Sequence, residues 1–259
     1  MPDTPRLTNT GGTIRHRAAT VGIRLKRMFE TRVPSTITHK QFGVIIPTGD
    51  YLTDRLRQTI EMGNYERWEG KLVGRLLAGG ERILELGGGI GFISTLAVRT
   101  AKPELYHLVE ANARLIPVIH ETHRLNSITG VDVQNCIYTN NEAILAKGTA
   151  RFAVSAHFTA SSTRKSGKGR TMVQVPARSF NDAAREHRYD TLICDIEGGE
   201  LDLFAKADLQ HFRTLVIELH KNVIGLKGIH TIFSKLSKAG FAYDQDLSHG
   251  PVVTFRRFD

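Results

Sequence analysis

The sequence predicts an α/β protein built on a doubly wound sheet that is mostly parallel, with an antiparallel last strand. Short apolar runs alternate with segments whose apolar residues recur every three or four positions, which is typical of βαβ units. The first such run, residues 83–86, stops at a glycine-rich segment and is followed by a helical pattern from Phe92. Near the C-terminus, residues 241–243 and 252–255 have no helix between them, so we expect them to pair as antiparallel strands.

Length and charge indicate two parts of unequal size. The 259 residues carry a net charge of +9, and residues 1–40 hold eight Lys or Arg residues against only Asp3 and Glu30. We therefore divide the chain into a basic extension, residues 1–40, and one domain, residues 41–259. Apolar residues recur at helical spacing from Ile14 to Met28, which predicts a basic amphipathic helix. Such a helix packs on its own domain, lies on an anionic membrane or binds nucleic acid.

The cysteines and the apolar runs favour a cytoplasmic protein. Cys136 and Cys194 each fall in a strand-like apolar run. This placement predicts buried free thiols, which are typical of proteins in a reducing compartment. The sequence has no apolar run of membrane-spanning length and no signal-peptide pattern. We therefore expect a soluble, intracellular chain.

The glycine-rich segment is the first candidate for a ligand site. It contains Gly87, Gly89 and Gly91, but Phe92 stands where a Rossmann dinucleotide site requires a further glycine, which disfavours NAD. Glu85, at the end of the strand, suits a ligand with an ammonium group better than one with a pyrophosphate. S-adenosylmethionine (SAM) is such a ligand, and this pattern resembles the first motif of class I methyltransferases. The alternative is an ordinary strand-to-helix turn.

Two further features fit a SAM site. The second predicted strand, residues 105–109, ends in Glu110, at the distance from Gly91 where doubly wound folds place an acid on the ribose hydroxyls. Upstream, Tyr65 and Glu66 can line the pocket entrance, with the tyrosine ring beside the sulfonium in a cation–π contact. The alternatives are a solvated strand-end glutamate and a tyrosine that anchors the core.

Residues 143–179 interrupt the βα alternation. Weak two-residue alternation at 150–158 and 171–175 flanks a polar, basic and glycine-rich segment, residues 161–170. This pattern predicts an inserted hairpin at about 150–176 with a cationic tip. Its tip either contacts an anionic acceptor or remains a solvated loop.

Acidic residues follow the fourth predicted strand. Asp195, Glu197 and Glu200 are separated by two glycines, and crowding three acids is costly unless they meet a cation, a proton or a hydroxyl. Alternatively, they are solvated acids at a helix start, where the helix dipole stabilises them. After the fifth strand, His220 is a candidate base near neutral pH, or a residue that only packs and donates hydrogen bonds.

Five segments occur in the order found in FkbM-type methyltransferases, and the sequence resembles that family over about residues 60–220. The usual GANIG motif is Gly87-Gly88-Gly89-Ile90-Gly91 here, so glycines replace its alanine and asparagine, and alanine replaces proline in the usual EPN motif. Ser161–Ser162 is similar to the family's serine pair. The five segments are Gly63-x-Tyr-Glu66, Ile83-Leu-Glu-Leu-Gly-Gly-Gly-Ile-Gly-Phe92, Val109-Glu-Ala-Asn112, Cys194-Asp-Ile-Glu-Gly-Gly-Glu200 and Val216-Ile-Glu-Leu-His220.

The resemblance implies a class I methyltransferase, Rossmann-like fold, with SAM as cofactor and O-methylation of a sugar, glycolipid or natural-product hydroxyl. It also implies that Asn112 belongs with Glu110 in the cofactor site. We expect direct transfer, with Asp195 or His220 as the base and Glu197 orienting the acceptor or tuning the base. The acids are ligands that suit a hard cation, but no tight ligand motif is present and we assign no metal.

The sequence also has features of other functions. An RNA 2′-O-methyltransferase fits the basic charge, and Asp195, Glu218 and Lys221 offer part of its Lys-Asp-Lys-Glu site, although the lysine spacing does not match. A non-catalytic SAM-binding interaction module is the third hypothesis. DNA amino-methylation is disfavoured because the motif after Asp195 differs from that of such enzymes. The expected partners are a small-molecule or glycan acceptor and an anionic membrane contacted by the N-terminal helix, with no firm nucleic-acid signal.

Overall fold

The computed structural model describes residues 35–155 and 170–258, and the compact unit that contains them begins at Ser35. The amphipathic helix expected between Ile14 and Met28 lies outside the described residues, as do Ser161–Ser162 and all but the last residue of segment 161–170. Within the described ranges, no helix combines the length and the apolar character needed to cross a membrane.

The described elements alternate between strands and helices over most of the chain. The strands are β1 (Thr36–Thr38), β2 (Ile45–Pro47), β3 (Arg82–Leu86), β4 (Leu105–Val109), β5 (Val131–Gln134), β6 (Ile137–Thr139), β7 (Thr149–Ser155), β8 (Arg170–Ser179), β9 (Thr191–Cys194), β10 (Thr214–Glu218), β11 (Phe241–His249) and β12 (Val252–Arg257). The helices are α1 (Asp54–Glu61), α2 (Arg67–Leu76), α3 (Phe92–Ala101), α4 (Ile116–Leu125), α5 (Glu142–Leu145), α6 (Phe180–His187), α7 (Glu200–Ala205) and α8 (Lys221–Lys238), which is kinked at Gly225.

Seven strands form the central sheet, in the order β11-β12-β10-β9-β3-β4-β5. Strands β5, β4, β3, β9 and β10 are parallel, and β12 is antiparallel to both β10 and β11. The predicted fold class, a mostly parallel doubly wound sheet with an antiparallel last strand, is therefore confirmed. The chain runs outward from β3 to β5 and then returns to β9 on the other side of β3. The order thus reverses between β3 and β9, where open α/β sheets bind their ligands.

The apolar residues between Val131 and Tyr138 predict one strand, the third along the chain, but the structure forms two strands there, β5 and β6. The side chain of Asn135 donates hydrogen bonds to the carbonyls of Glu110 (2.8 Å) and Ala111 (3.1 Å), which takes the chain out of the central sheet after β5. Strand β6 then pairs with β8, and β8 pairs with β7 in an antiparallel hairpin. This small second sheet borders the carboxyl end of β4, because Ala111, in the loop after β4, packs against the apolar cluster of Phe152, Val154 and Val175.

Apolar side chains fill both sides of the central sheet. One cluster includes Phe180 and Phe212, whose rings stack with centroids 5.9 Å apart, and the other includes Phe92 and Ile119. Because residues 83–86 of β3 and all of β9 are buried, their sequences are apolar runs apart from Glu85 and Thr191. This rigid centre fixes the positions of the loops that follow both strands.

We expect Phe212→Ala to lower the free energy of unfolding by about 3–5 kcal/mol, because it removes a fully buried ring and leaves a cavity. Phe258→Ala is the control, since that ring is 62% exposed and its removal should change stability by less than about 0.5 kcal/mol. Urea denaturation followed by circular dichroism measures both. Equal effects of the two substitutions would contradict this assignment of the core.

Candidate active site

A cavity of about 690 Å³ opens at the carboxyl ends of β3, β4 and β9. Of the residues predicted for the site, those that line it are Tyr65, Glu66, Gly87, Gly89, Glu110, Asp195 and Glu197. Those that do not line it are Glu85, Gly91, Asn112 and His220. The structure therefore brings most of the predicted residues to one cavity and places the others behind its wall.

Gly87 stands where β3 and β9 lie side by side. Its φ is +92°, and a Cβ built on it would lie 1.7 Å from the carbonyl oxygen of Asp195. The amide of Asp195 in turn donates a hydrogen bond to the carbonyl of Leu86 at 2.9 Å. No side chain fits between these two backbones, so only glycine allows the turn after β3 to reach Asp195.

Glu110 holds the same turn from the other side. Its two carboxylate oxygens accept hydrogen bonds from the amides of Gly89 (3.0 Å) and Asn112 (2.7 Å). Burial raises the pKa of Glu110 to about 7, against the opposing effect of these hydrogen bonds. Each oxygen keeps a second lone pair, so this carboxylate can accept hydrogen bonds from two neighbouring hydroxyl groups of a ligand.

Asn112 and Gly91 support the turn without reaching the main cavity. The side-chain oxygen of Asn112 accepts a hydrogen bond from the amide of Arg114 at 3.2 Å, and Asn112 borders a separate cavity of about 400 Å³. Gly91 begins α3 with φ +76°, and its carbonyl accepts a hydrogen bond from the Thr95 hydroxyl at 2.6 Å. Both residues therefore shape the loops that carry Glu110 and Gly89.

Glu85 is buried behind the glycine turn. The Tyr106 hydroxyl donates a hydrogen bond to its carboxyl group at 2.6 Å, and burial raises the pKa of Glu85 to about 8. Glu85 therefore does not line the cavity, and the contact with a ligand ammonium group stays a prediction. The position of Glu85 instead places a titratable group directly under the turn.

Tyr65 and Glu66 close another side of the cavity. The Tyr65 ring packs edge-on against Phe92, and its hydroxyl lies 3.5 Å from the position that a Cβ on Gly89 would occupy. Glu66 adopts a left-handed backbone with φ +41° just before α2, and burial raises the pKa of its carboxyl well above the usual range. A non-glycine residue in this conformation is strained, and such strain is frequent at functional sites.

The acids after β9 meet His220, which follows β10. The His220 Nε2 atom lies 3.6 Å from Asp195 Oδ1 and 3.5 Å from Glu197 Oε2. Glu197 has a left-handed backbone with φ +53°, which turns its side chain back towards the cluster. Within the described residues, Asp195 Oδ1 is buried and has no hydrogen-bond partner.

Glu200 orients His220 from behind. Its side chain is fully buried, and Oε1 accepts hydrogen bonds from His220 Nδ1 (2.8 Å) and from the Gly198 amide (3.0 Å). The hydrogen bond to Glu200 raises the pKa of His220 to about 9, so the imidazole is protonated at neutral pH. The sequence grouped Glu200 with the other acids, but its pairing with a residue of the next strand depends on the sheet order.

Burial also raises the pKa values of two acids that lie near His220. Burial and the Glu197 carboxylate raise the pKa of Asp195 to about 7, while His220 acts in the opposite direction. Burial and Asp195 together raise the pKa of Glu218 to about 7. Asp195 therefore exchanges its proton in the pH range where a general base works best.

Asp195, Glu218 and His220 each present one potential metal ligand, and the three ligand atoms lie within 4.8 Å of one another. This set contains Glu218 and His220 in place of Glu197 and Glu200, which the sequence grouped with Asp195. Two carboxylates and an imidazole suit several divalent cations. Purified protein should accordingly be assayed both metal-free and with added Mg²⁺ or Mn²⁺.

The apolar wall of the cavity was not predicted. It comes from the residue before α4 and from β6, α5, β7 and α7, elements that are far apart in the chain, and no local pattern marks its members. The apolar residues on this wall include Leu115, Ile137, Ile144, Phe152 and Leu203.

Comparison with known families gives one match. The family described as "Methyltransferase FkbM domain" matches residues 91–243, which is more than half of the chain. The matched range contains Glu110, Asp195, Glu197 and His220 and begins at the last glycine of the turn after β3. No match was found among the curated proteins.

Three solved structures align with this chain at low sequence identity. A candidate SAM-dependent methyltransferase from Streptococcus mutans aligns with a TM-score of 0.50 and 11% identity, covering 87% of this chain and 56% of that one. The ribosomal protein L11 methylase of Lactobacillus delbrueckii subsp. bulgaricus has a TM-score of 0.44 and 13% identity, covering 76% and 80%. TYW2 of M. jannaschii, in complex with AdoMet, has a TM-score of 0.43 and 14% identity, covering 87% and 88%. At these identities the likeness concerns the fold alone.

We expect Gly87→Ala to destabilise the protein strongly, because the new methyl group would overlap the Asp195 carbonyl and the backbone has a positive φ. Gly74→Ala is the matched control: Gly74 lies inside α2 with open space around it, so alanine should be neutral or stabilise by about 0.5–1 kcal/mol. Thermal denaturation of both variants measures the difference. A Gly87→Ala protein as stable as the wild type would show that the two strands are not this close.

Proposed function

Because this chain belongs to the FkbM methyltransferase family, we propose that it transfers a methyl group from SAM to a hydroxyl of a sugar, glycolipid or natural-product acceptor. One observation carries the choice of a hydroxyl acceptor. Asp195, a carboxylate whose pKa is raised to about 7, lies on the wall of the cavity that Gly87, Gly89 and Glu110 also line. A group of that acidity is suited to take a proton from an acceptor hydroxyl.

The residues of the cavity fit SAM. Glu110 can accept hydrogen bonds from the two ribose hydroxyls, and Gly89 leaves the main chain accessible beside it. Leu115, Ile137 and Phe152 supply apolar surface for the adenine ring. When bound, SAM supplies a methyl group on a positively charged sulfur. The protein therefore needs no nucleophile of its own and has to align the acceptor and remove a proton.

We assign the base to Asp195 rather than to His220. His220 is protonated at neutral pH, because Glu200 accepts a hydrogen bond from Nδ1 and stabilises the cation. A protonated imidazole cannot accept a proton, whereas Asp195 Oδ1 has no hydrogen-bond partner among the described side chains. His220 then acts as a positioning residue whose charge favours ionised Asp195.

Glu197 is the residue that would orient the acceptor. It lines the cavity beside Asp195, and its strained left-handed backbone holds the carboxylate 3.5 Å from His220 Nε2. A carboxylate in that position can accept a hydrogen bond from a second hydroxyl of a sugar. Two neighbouring acids thus contribute different functions, one to proton removal and one to alignment.

Asp195→Asn should reduce kcat by about 10²–10⁴-fold, because the amide keeps the shape of the side chain but cannot accept the proton. SAM affinity should stay unchanged, since the cofactor contacts are on Gly89 and Glu110. The measurements are methyl transfer from labelled SAM to fractionated cell extract, with and without added divalent metal, and calorimetry with SAM. Asp202→Asn, an exposed acid on the same cavity wall, is the control. Unchanged turnover in Asp195→Asn would refute its role as base.

The pH dependence separates the two candidate bases. If Asp195 is the base, kcat rises with pH and levels off above about 7, where the carboxyl is ionised. His220→Gln removes a cation that lowers the pKa of Asp195, so the midpoint should move to higher pH while the ascending limb remains. Loss of the ascending limb in His220→Gln would instead assign the base to His220. Rate profiles of the wild type and this variant, measured with SAM saturating, make the comparison.

A further inference from the structure

Positive charge is concentrated in the segment that contains the β7–β8 hairpin. From Ala143 to Asn181 the sequence has seven Lys or Arg residues and no Asp or Glu. A solvated surface of this length normally mixes both signs of charge. The concentration of one sign therefore indicates that part of the segment meets an anionic group.

Two of these cations lie on the wall of the main cavity. Lys147 follows α5, and Arg151 lies on β7, directly opposite Gln174 of β8, which also lines the cavity. Within residues 35–155 and 170–258, neither Lys147 nor Arg151 forms an ion pair with an acidic side chain. The intervening residues 156–169 contain no Asp or Glu that could supply one.

The same cavity carries acids on its other elements. Asp195 and Glu197 lie in the loop between β9 and α7, and Asp202 lies in α7. By contrast, Lys147 lies between α5 and β7, and Arg151 lies on β7. A ligand that uses both parts of the wall has a hydroxyl group for Asp195 and an anionic group for the cations. A neutral sugar would leave Lys147 and Arg151 without a function.

We propose that Lys147 and Arg151 form an anion subsite that binds a phosphate or carboxylate group of the methyl acceptor. The acceptor is then a phosphorylated or carboxylated sugar or a similar small anion. Arginine suits this function because its guanidinium can donate two parallel hydrogen bonds to either group. This inference rests on the proposed function, since it names the acceptor of the same cavity. Both side chains line the cavity and remain exposed to solvent, so a small molecule held in that cavity can contact them and Asp195 together.

Anion binding can be measured without knowing the acceptor. Full-length protein is saturated with S-adenosylhomocysteine, which occupies the cofactor part of the cavity, and is titrated with pyrophosphate and with glucose 1-phosphate by calorimetry. The double variant Lys147→Gln/Arg151→Gln should weaken binding about tenfold or more, the loss expected on removing charged hydrogen-bond donors. Its affinity for S-adenosylhomocysteine should equal that of the wild type.

Arg178→Gln is the matched control, because Arg178 belongs to the same hairpin, donates a hydrogen bond to Gln134 and does not line the cavity. It should bind both phosphates as the wild type does. Equal binding by the double variant and the wild type, or no binding by the wild type, would overturn the subsite. Weaker binding of S-adenosylhomocysteine by the double variant would also overturn it, since the cations would then serve the cofactor.

Further ligands define the chemical class. Glucuronate should bind and glucose should not, which separates recognition of an anion from recognition of the sugar ring. A short RNA that binds more tightly than the small anions and depends on Arg178 would refute a subsite in the cavity in favour of binding across the protein surface. A protein that fails to bind S-adenosylhomocysteine would contradict the proposed function, whereas the phosphate titration of the same protein still tests the subsite.

Discussion

The site depends on one close approach, that of Gly87 to the carbonyl oxygen of Asp195. The two backbones are so near that a methyl group on residue 87 would lie 1.7 Å from that oxygen. This approach occurs because β3 and β9 are neighbours at the point where the strand order reverses. It joins the turn proposed for the cofactor to the acid proposed as base, so that one cavity serves both.

The second constraint is electrostatic. Asp195, Glu197, Glu200 and Glu218 crowd around a single histidine, and burial raises the pKa values of Asp195 and Glu218 to about 7. Fully buried Glu200 holds His220 as a cation, and that cation offsets part of the repulsion among the acids. Such an arrangement costs stability, because charged groups lose hydration without complete pairing. Crowded acids of this kind are found at sites where a proton has to be moved, and proton removal is the function that we propose for Asp195.

Much of the fold could be predicted from the sequence, since strands buried on both faces appear as apolar runs and the turn residues follow them. The third strand was predicted too long because residues 131–138 keep the apolar pattern on both sides of Asn135. Only the two hydrogen bonds from Asn135 to the carbonyls after β4 show that the chain leaves the sheet there. The sequence predicts the site residues that belong to motifs at the ends of strands. It does not predict the apolar wall of the cavity, because that wall comes from several elements that are distant in the chain.

The sequence by itself determined the residue types and their spacing: three glycines after the first buried strand, an acid after the second, and the acids after the fourth. These depend on local backbone geometry and are therefore visible in a linear pattern. The tertiary structure decided which of them share a cavity. Glu85, equally prominent in the sequence, is buried against Tyr106, while Glu200 pairs with His220 and Lys147 faces the cavity of Asp195. Those relations depend on the order of strands in the sheet, because strand order joins residues that are distant in the chain.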